Sequence, residues 1–346
     1  MNNIQARLVD IASYLPNKIL TNEDLASIYP DWSAEKIYDK TGIKQRHIAN
    51  AEQTAADLAY EAALNLFSRN NVKAEDIDFI ILCTQSPDYV LPTSACLLQD
   101  RLGISRNSGA LDINLGCSGY VYGLSLAKGL IETGAAKCVL LLTADTYSKL
   151  IHPMDKSVRT LFGDGATATA IIGTESAKPF ISSFVFGTDG SGGSNLIVEA
   201  GSSRKPKTIE TAIDAIDSSG NIRCEENLYM NGAEIMGFSL KEVPKAVESL
   251  LEKEGCQKED VDFFVLHQAN KFMLEALRKK LKISEDKLPV FLESCGNTVS
   301  SSIPLVLENM LNNGIFQTEK KLMLVGFGVG YSWAGCFLNL KIGESK

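Results

Sequence analysis

The sequence predicts an α/β fold made of two copies of one structural unit, and two observations support this prediction. The segment KAEDIDFIIL, residues 73–82, recurs as QKEDVDFFVL, residues 257–266, which sets Asp78 and Asp262 184 positions apart (262 − 78). Each copy alternates amphipathic helices with short apolar strands, which is typical of a sheet covered by helices. The chain is therefore predicted to be an internal duplication.

The same offset relates KCVL, which begins at Lys137, to KLML, which begins at Lys321. Two halves of about 170 residues are each large enough to bury a hydrophobic core. We therefore predict two domains, residues 1–177 and residues 178–346. The ends of equivalent strands should meet around a shared pseudo-two-fold axis, and ligand crevices commonly form outside such strand ends.

The elements follow from the spacing of apolar residues. Amphipathic periodicity predicts helices that include residues 54–68, 118–133, 232–254, 271–281 and 301–312. Short apolar runs predict strands that include residues 79–83, 110–113, 138–143, 167–172, 263–266, 290–292 and 322–325.

Composition excludes several classes of protein. Apolar residues make up 45% and charged residues 22%, which are ordinary globular values, and the net charge of −8 provides no basic field for a nucleic acid. Apolar runs such as residues 139–142 are too short to span a bilayer, and the N-terminus lacks the apolar core of a signal peptide. We expect a cytoplasmic protein that binds no membrane.

Eight cysteines are present, at positions 83, 96, 117, 138, 224, 256, 295 and 336, and none forms a CxxC pair. This pattern favours small core residues in a reducing compartment over a zinc site or a disulfide framework. No metal is expected.

Cys117 differs from the other cysteines in its local sequence. It lies where a strand-like run meets a turn with Gly116 and Gly119, directly before a long helix. Such a turn can present a nucleophile, and a cysteine at a helix N-terminus gains thiolate stabilisation from unpaired N–H groups and the helix dipole. The alternative is a buried structural cysteine, which is the interpretation for most of the other seven.

Only three histidines are candidate bases: His47, His152 and His267. His267 ends an apolar strand and begins HQAN, immediately before an amphipathic helix in the half opposite Cys117. It is placed to reach the shared crevice. A structural histidine hydrogen-bonded at a strand end is the alternative.

Asn297 lies in ESCGNTVSSSIP, at another predicted strand-to-helix junction, so its amide also has access to the crevice. A turn or cap residue is the alternative. The glycine-rich segment GFGVGYSWAG, residues 326–335, allows close backbone approach to a substrate, but it lacks the lysine and the following helix of a phosphate loop.

The motifs GCSG, HQAN, GNT and FGVGYSW, in this order, resemble the β-ketoacyl-acyl-carrier-protein synthase III family of the thiolase superfamily. The segments TGIKQRHIA, LPTSACLLQDRLG, FGDGATA and MNGAEIM resemble it too, so the similarity covers nearly the whole chain. It implies a thiolase-like five-layered αβαβα fold of two duplicated halves. The implied activity is acyl transfer from a coenzyme A or acyl-carrier-protein thioester, then decarboxylative Claisen condensation with a malonyl thioester in fatty acid biosynthesis.

The resemblance implies catalytic roles for Cys117 as the acylated nucleophile and for His267 and Asn297 as the pair that binds the extender carbonyl. A soft thiolate exchanges thioesters, and two neutral N–H donors stabilise the enolate left by carbon dioxide. The implied oxyanion hole consists of the backbone N–H groups of Cys117 and Val329, where valine replaces the family's usual glycine. No bound cofactor is expected.

The resemblance also implies substrate-binding or carrier-binding positions, which are Lys40, Lys156, Gly232, Ala269, Asn270 and Phe272. Here Lys36 and Phe272 replace the tryptophan and arginine that stack the adenine of coenzyme A, and lysine lacks the planar, bidentate geometry of arginine. An acyl-carrier protein is therefore a candidate donor. A cationic face of Lys271, Arg278 and Lys282 on one helix would suit it, although an ordinary solvated face is the alternative.

A homodimer is expected from the same resemblance, with the loop before LPTSAC lending a residue to the acyl pocket of the partner. Leu91 occupies the position where short-chain members place a bulky phenylalanine, so a donor longer or more branched than acetyl is expected. The alternatives are an acyltransferase that forms an ester or amide, a papain-like hydrolase and a non-catalytic carrier-protein scaffold. The duplicated pattern disfavours the hydrolase, and the three polar residues disfavour the scaffold.

Overall fold

The structure, a computed structural model, describes residues 3–342. Its strands, in chain order, are β1 (Asn3–Tyr14), β2 (Lys18–Thr21), β3 (Gln45–Ile48), β4 (Phe79–Cys83), β5 (Gly109–Ile113), β6 (Cys138–Asp145), β7 (Gly165–Ser176), β8 (Ile181–Thr188), β9 (Leu196–Ile197), β10 (Ala215–Ile216), β11 (Ile222–Arg223), β12 (Tyr229–Met230), β13 (Phe263–Leu266), β14 (Lys320–Gly328) and β15 (Ser332–Leu340).

The helices are α1 (Asn22–Ile28), α2 (Ala34–Thr41), α3 (Ala55–Ser68), α4 (Ser94–Arg101), α5 (Gly119–Glu132), α6 (Lys156–Arg159), α7 (Gly232–Glu254), α8 (Lys271–Leu281) and α9 (Ser302–Asn312). Each helix predicted from the sequence is confirmed to within one residue at each end. The helix that begins after Thr54 shows why: the Thr54 side chain accepts from the N–H of Asp57, and the Asp57 side chain accepts from the N–H of Thr54.

Two main sheets organise the chain. The first has the order β1-β7-β6-β4-β5, and the second has the order β13-β14-β15-β8. Strands β4, β5 and β6 run parallel, as do β13 and β14, while the outer pairings are antiparallel. The first sheet therefore uses residues 3–176 and the second uses residues 181–340.

The core clusters place the helices in layers. Helices α3 and α4 pack on the outer face of the first sheet, α5 and α9 pack between the two sheets, and α7 and α8 cover the outer face of the second. The order is helix, sheet, helix, sheet, helix. The five-layered αβαβα prediction is thus confirmed, and the central helix layer brings the ends of strands from both sheets together.

The internal repeat is visible in matching hydrogen bonds. The side chain of Asp78 accepts from the backbone N–H of Lys137 at 2.7 Å, and the side chain of Asp262 accepts from that of Lys321 at 2.7 Å. In each copy this aspartate joins the start of one parallel strand to the start of its neighbour. The sequence offset therefore corresponds to one structural unit used twice.

The predicted strand at residues 290–292 is wrong. This segment forms no strand, because its backbone pairs with a side chain: Oε1 of Gln268 accepts from the N–H of Phe291 at 2.9 Å, and Nε2 of Gln268 donates to the carbonyl of Pro289 at 3.5 Å. Proline, which has no N–H, starts the apolar run. The run contacts the core without joining a sheet.

Within residues 3–342, no helix is long and apolar enough to cross a membrane. The same residues contain no group of three or more histidine, cysteine, aspartate or glutamate side chains that could hold a metal ion.

Candidate active site

Cys117 lies at the turn between β5 and α5, and only 6% of its surface is exposed. Helix α5 begins two residues later, at Gly119. A Cβ on Gly119 would lie 2.2 Å from Sγ of Cys83, so only glycine lets the helix start this close to β4. The turn that presents the thiol is thus fixed by packing against the first sheet.

The second half approaches the nucleophile through β14. A Cβ on Gly328 would lie 2.9 Å from both Cβ and Sγ of Cys117, and a Cβ on Gly326 would lie 2.5 Å from the Cys117 carbonyl oxygen. These contacts are shorter than carbon–sulfur and carbon–oxygen van der Waals distances. The glycines of the GFGVG segment are therefore needed at these positions to let the strand reach the thiol.

We expect Gly328→Ala to slow acyl loading of Cys117 at least tenfold, because the new methyl group displaces the thiol from its turn. Time courses of intact mass with an acyl thioester would measure the rate. Gly129→Ala is the matched control, since nothing lies within 4 Å of a Cβ at that exposed position of α5. Loading by Gly328→Ala at the unaltered rate would contradict the contact.

The pKa of Cys117 is raised to about 12, mainly by burial and further by the charge of Asp145. The backbone N–H groups of Cys117 and Val329 oppose this rise, because both are within hydrogen-bonding reach of the sulfur. The N–H groups at this turn thus stabilise the thiolate, as expected from the sequence, but their effect on the pKa is smaller than that of burial. Desolvation outweighs the N–H groups, and the thiol is neutral at pH 7.

His267 follows β13, and its backbone N–H donates to the carbonyl of Val325 at 2.9 Å. Its side chain is 2% exposed, with Nδ1 2.7 Å from Oγ of Ser302 and the ring edge-on to Phe327 at 5.6 Å between centroids. Burial lowers the pKa of His267 to about 3. The imidazole is thus neutral, with Nε2 left for the cavity.

Asn297 is fixed by three hydrogen bonds. Its backbone N–H donates to the carbonyl of Leu161 at 2.9 Å, and its carbonyl accepts from the N–H of Gly163 at 3.0 Å, which forms a parallel bridge between Phe162 and Asn297. Its Oδ1 accepts from the N–H of Val299 at 2.9 Å. The amide oxygen is thereby occupied, and the Nδ2 donors remain for a ligand.

One cavity collects the three predicted catalytic side chains. Cys117, His267 and Asn297 line it, with a free volume of about 70 Å³. The cavity is also lined by Leu161, Phe162, Leu196, Met230, Gly232, Ile235, Ala269, Asn270, Met273, Phe327 and Gly328. A wider groove of about 700 Å³ over residues 194–229 contains none of the three catalytic candidates.

The predicted substrate-binding residues divide into two groups. Gly232, Ala269 and Asn270 line the cavity. The residues that line the cavity do not include Lys40, Lys156, Phe272 or Leu91. Phe272 is 66% exposed and Leu91 is 79% exposed, so both lie at the surface of this chain.

The two lysines of α2 lie on one aromatic side chain. Nζ of Lys36 is 5.4 Å and Nζ of Lys40 is 5.6 Å from the ring centroid of Trp32. Both lysines are exposed, so each keeps its charge at the surface. The aromatic ring beside these lysines is therefore Trp32, which lies four residues before Lys36.

Helix α8 begins beside the C-terminal end of α2. Gly42 follows α2, and a Cβ on it would lie 2.3 Å from Cβ of Lys271, so the two helices approach closely at this point. Its predicted cationic face is only partly formed. Arg278 donates twice to Glu275 at 2.7 Å, and Lys282 lies beyond the helix end with a φ of 55°. The prediction that Lys282 belongs to this helix is wrong, since the chain turns into the left-handed region there.

Three residues near the site were not predicted from the sequence. Ser302 holds the His267 ring, Phe327 packs against it, and Asp145 acts electrostatically on Cys117. The run of serines after Asn297 could have indicated Ser302, and the phenylalanine inside GFGVG could have indicated Phe327. Asp145 ends a strand whose other residues are mostly apolar, and a charged residue at such a position is unusual.

Known proteins match this chain in sequence along nearly its whole length. Residues 111–190 match the family described as 3-oxoacyl-[acyl-carrier-protein (ACP)] synthase III, and residues 251–340 match the description of its C-terminal part. A β-ketoacyl-[acyl-carrier-protein] synthase III from Caldanaerobacter subterraneus subsp. tengcongensis is 40% identical over 96% of this chain and 96% of that protein.

Solved structures agree as well. A crystal structure of a 3-oxoacyl-(acyl-carrier-protein) synthase III is 64% identical, with a TM-score of 0.96 over 97% of this chain and 100% of that one. A 3-oxoacyl-(acyl-carrier protein) synthase from Burkholderia xenovorans LB400 is 38% identical, with a TM-score of 0.90 over 99% and 96%. The fold and its central cavity thus define a transferase of the condensing-enzyme class. The chain belongs to the β-ketoacyl-acyl-carrier-protein synthase III family.

Proposed function

We propose that this chain loads an acyl group onto Cys117 and condenses it with a malonyl thioester to form a β-ketoacyl thioester. The observation that carries the proposal is the convergence of one thiol, one neutral imidazole and one amide on a single cavity. Family membership supports the same reaction. The site residues come from both sequence halves, as expected for a crevice between duplicated units.

In the first half-reaction, Sγ of Cys117 attacks the carbonyl carbon of the donor thioester. The bond from that carbon to the carrier sulfur breaks, and the carrier leaves as a thiol with the proton from Cys117. The backbone N–H groups of Cys117 and Val329, which already face the sulfur, support an oxyanion hole at this position. One thioester is exchanged for another, so no redox partner is required.

In the second half-reaction, the malonyl thioester loses carbon dioxide, and the electron pair of the broken C–C bond forms an enolate. The enolate carbon attacks the acyl carbonyl on Cys117, and the C–S bond to the enzyme breaks. Cys117 leaves as a thiolate and takes up a proton from solvent, which restores the thiol. We assign Nε2 of His267 and Nδ2 of Asn297 as the donors to the enolate oxygen. Neutral donors suit this task because neither has to lose a proton.

The hydrogen bonds around Ser302 support a proton on Nε2 of His267. Oγ of Ser302 lies 3.4 Å from the backbone N–H of Gln268, which donates to it, and 2.7 Å from Nδ1 of His267. The serine thus accepts from the backbone, and we assign its own proton to the hydrogen bond with Nδ1. With Nδ1 as the acceptor, the neutral ring carries its proton at Nε2, which is the atom that the proposal uses.

We propose an acyl-carrier protein as the preferred donor over free coenzyme A. The cationic positions near α2 are lysines that lie over Trp32, and lysine lacks the bidentate contacts that arginine makes with phosphate. Phe272 stands where the family has an arginine that stacks the adenine, so it cannot supply that charge. Point charges still attract an anionic carrier. The preference would appear as faster loading from the carrier-protein thioester than from the coenzyme A thioester of the same acyl group.

The proposal is tested by release of labelled carbon dioxide from a malonyl thioester after loading with an acyl donor. Condensation requires one carbon dioxide for each product, whereas an acyltransferase of the same superfamily would transfer the acyl group to an alcohol or amine and release none. Product without carbon dioxide would therefore favour the acyltransferase and reject condensation. We place the reaction in fatty acid biosynthesis in the cytoplasm, where the eight free cysteines stay reduced.

We propose that the chain works as a homodimer without a bound cofactor, and that Leu91 forms part of the acyl pocket of the partner. The loop at Tyr89, Val90 and Leu91 is exposed and apolar in the single chain, which suits a surface covered by a second copy. Sedimentation at micromolar concentration should give a dimer. A monomer at that concentration would contradict the proposal.

Leu91→Phe should shift the acyl preference toward shorter donors. The aromatic ring fills volume at the pocket floor, and each buried methylene of a substrate contributes about 0.8 kcal/mol, so two or three carbons change preference by roughly tenfold or more. Loading rates with a chain-length series would measure the shift, with Ile209→Phe as a control at another exposed apolar position. Wild-type preference for acetyl, or an unchanged profile in Leu91→Phe, would reject the idea.

A further inference from the structure

Asp145 is the last residue of β6 and is completely buried. Its carboxylate accepts three hydrogen bonds. Oδ1 accepts from the backbone N–H of Gln85 at 2.8 Å, while Oδ2 accepts from Oγ of Ser300 at 2.6 Å and from the backbone N–H of Ser300 at 3.4 Å. Every one of these partners is a donor, which is the environment of an ionised carboxylate.

On one side, this carboxylate supports the turn before the nucleophile. The Gln85 residue that it holds places its side chain beside Gly116, since a Cβ there would lie 2.6 Å from Oε1 of Gln85. Tyr147 donates to the same Oε1 at 2.5 Å and fixes it further. The position of Gly116, and with it the position of Cys117, therefore depends on a residue bound by Asp145.

On the other side, the carboxylate supports the turn that carries the decarboxylation donors. Ser300 lies between Asn297, whose Oδ1 binds the N–H of Val299, and Ser302, which binds Nδ1 of His267. A shift of Ser300 would therefore move both donors at once. Asp145 belongs to the first sheet and Ser300 to the second half of the chain, so this hydrogen bond crosses between the two halves.

A buried carboxylate is costly unless donors replace its water, and a hydrophobic residue would give more stability at less cost. Asparagine would replace it only in part, because an Nδ2 group at the place of Oδ2 would face the backbone N–H of Ser300, and one at the place of Oδ1 would face that of Gln85. The geometry therefore points to a requirement for three donors to be held in one place. The Asp145 carboxylate that meets this requirement lies between the two turns of the proposed active site.

We propose that Asp145 is a positioning residue that holds the Cys117 turn and the turn from Asn297 to Ser302 in register for the condensation. The inference rests on the proposed function. Asp145 acts through Gln85 and Ser300 and does not itself contact the substrate.

The charge of Asp145 supplies a readout that a purely structural residue would not give. It contributes to the raised pKa of Cys117, and the pKa of Asp145 itself is raised to about 7 by burial, against the hydrogen bonds from Ser300 and Gln85. The other titratable groups around the two are Cys83 on β4, Tyr147 after β6, His267 after β13 and Asp164 before β7. Removal of the charge on Asp145 should lower the pKa of Cys117.

The test compares Asp145→Asn with Ser300→Ala. Asp145→Asn loses the charge and the acceptor geometry. Ser300→Ala loses the hydroxyl donor but keeps the carboxyl group, which is ionised in the alkaline range where Cys117 titrates. We expect both variants to release carbon dioxide at least tenfold more slowly per loaded enzyme. Alkylation of Cys117 by iodoacetamide, followed by peptide mass mapping across pH, should shift to lower pH only in Asp145→Asn, by about tenfold in rate for each unit of lowered pKa.

Asp10→Asn is the matched control, because Asp10 is a buried carboxylate of β1 that pairs with Arg69. It should leave the alkylation profile and the rate per loaded enzyme unchanged. Ser300→Thr keeps a hydroxyl and should retain most of the carbon dioxide release that Ser300→Ala loses. Thermal unfolding checks that each variant folds, and Ser300→Ala still tests the proposal if Asp145→Asn does not fold.

Wild-type carbon dioxide release per loaded enzyme in Ser300→Ala, or an alkylation profile of folded Asp145→Asn that stays in place or moves to higher pH, would overturn the inference. If the wild-type protein itself releases no carbon dioxide, the proposed function fails. Alkylation of Cys117 needs no substrate, so it still reports on Asp145.

Discussion

Cys117→Ala should take up no acyl group from any thioester donor. The covalent intermediate requires a sulfur at this turn, and the cavity that holds His267 and Asn297 contains no second cysteine among its lining residues. Intact mass after incubation with coenzyme A and carrier-protein donors would show the wild-type adduct and its loss. The loss of acylation should be complete, because alanine provides no nucleophile.

Cys96→Ala is the control for this loss. Cys96 is exposed, so it is the cysteine most open to adventitious acylation, and its replacement should leave loading unaltered. A stable acyl adduct on Cys117→Ala would show that another residue accepts the acyl group, and the assignment of the nucleophile would then be wrong.

His267→Ala and Asn297→Ala should each stop carbon dioxide release while Cys117 can still be acylated. Each substitution removes one of the two donors assigned to the enolate oxygen, and loss of one such donor typically slows a reaction by about 10²–10³. The effect on loading should be smaller, since the backbone N–H groups of Cys117 and Val329 remain. Labelled carbon dioxide and intact mass would measure the two half-reactions on the same samples.

His152→Ala is a suitable control, because His152 pairs with Asp214 at 3.5 Å and does not line the cavity. It should keep both half-reactions. If His267→Ala or Asn297→Ala lost loading but kept carbon dioxide release from the malonyl thioester, the two half-reactions would have to be reassigned.

Much of the fold followed from the sequence because the repeat and the helix periodicity are local signals. The offset between Asp78 and Asp262 corresponds to a hydrogen bond that both copies make, and the helix ends agree because caps such as Thr54 act within one turn. The convergence of Cys117 and His267 was also predictable, since both lie at strand ends of related halves. The division of the chain at residue 177 stays a prediction.

Other features depend on contacts between distant residues, which no local pattern encodes. The segment at residues 290–292 has the composition of a strand, but the side chain of Gln268 takes its backbone donor. The helix terminus was expected to lower the pKa of Cys117, and burial by the second half raises it instead. The role inferred for Asp145 requires knowledge of Ser300 across the halves.

The bridge between Phe162 and Asn297, together with the Asp145–Ser300 hydrogen bond, joins segments more than a hundred residues apart. A folding intermediate with only one ordered half would therefore contain native helices and strands but no assembled cavity. Catalytic competence should appear late in refolding, at the step that docks the halves. During denaturation, activity should therefore be lost as soon as the contacts between the two halves are lost.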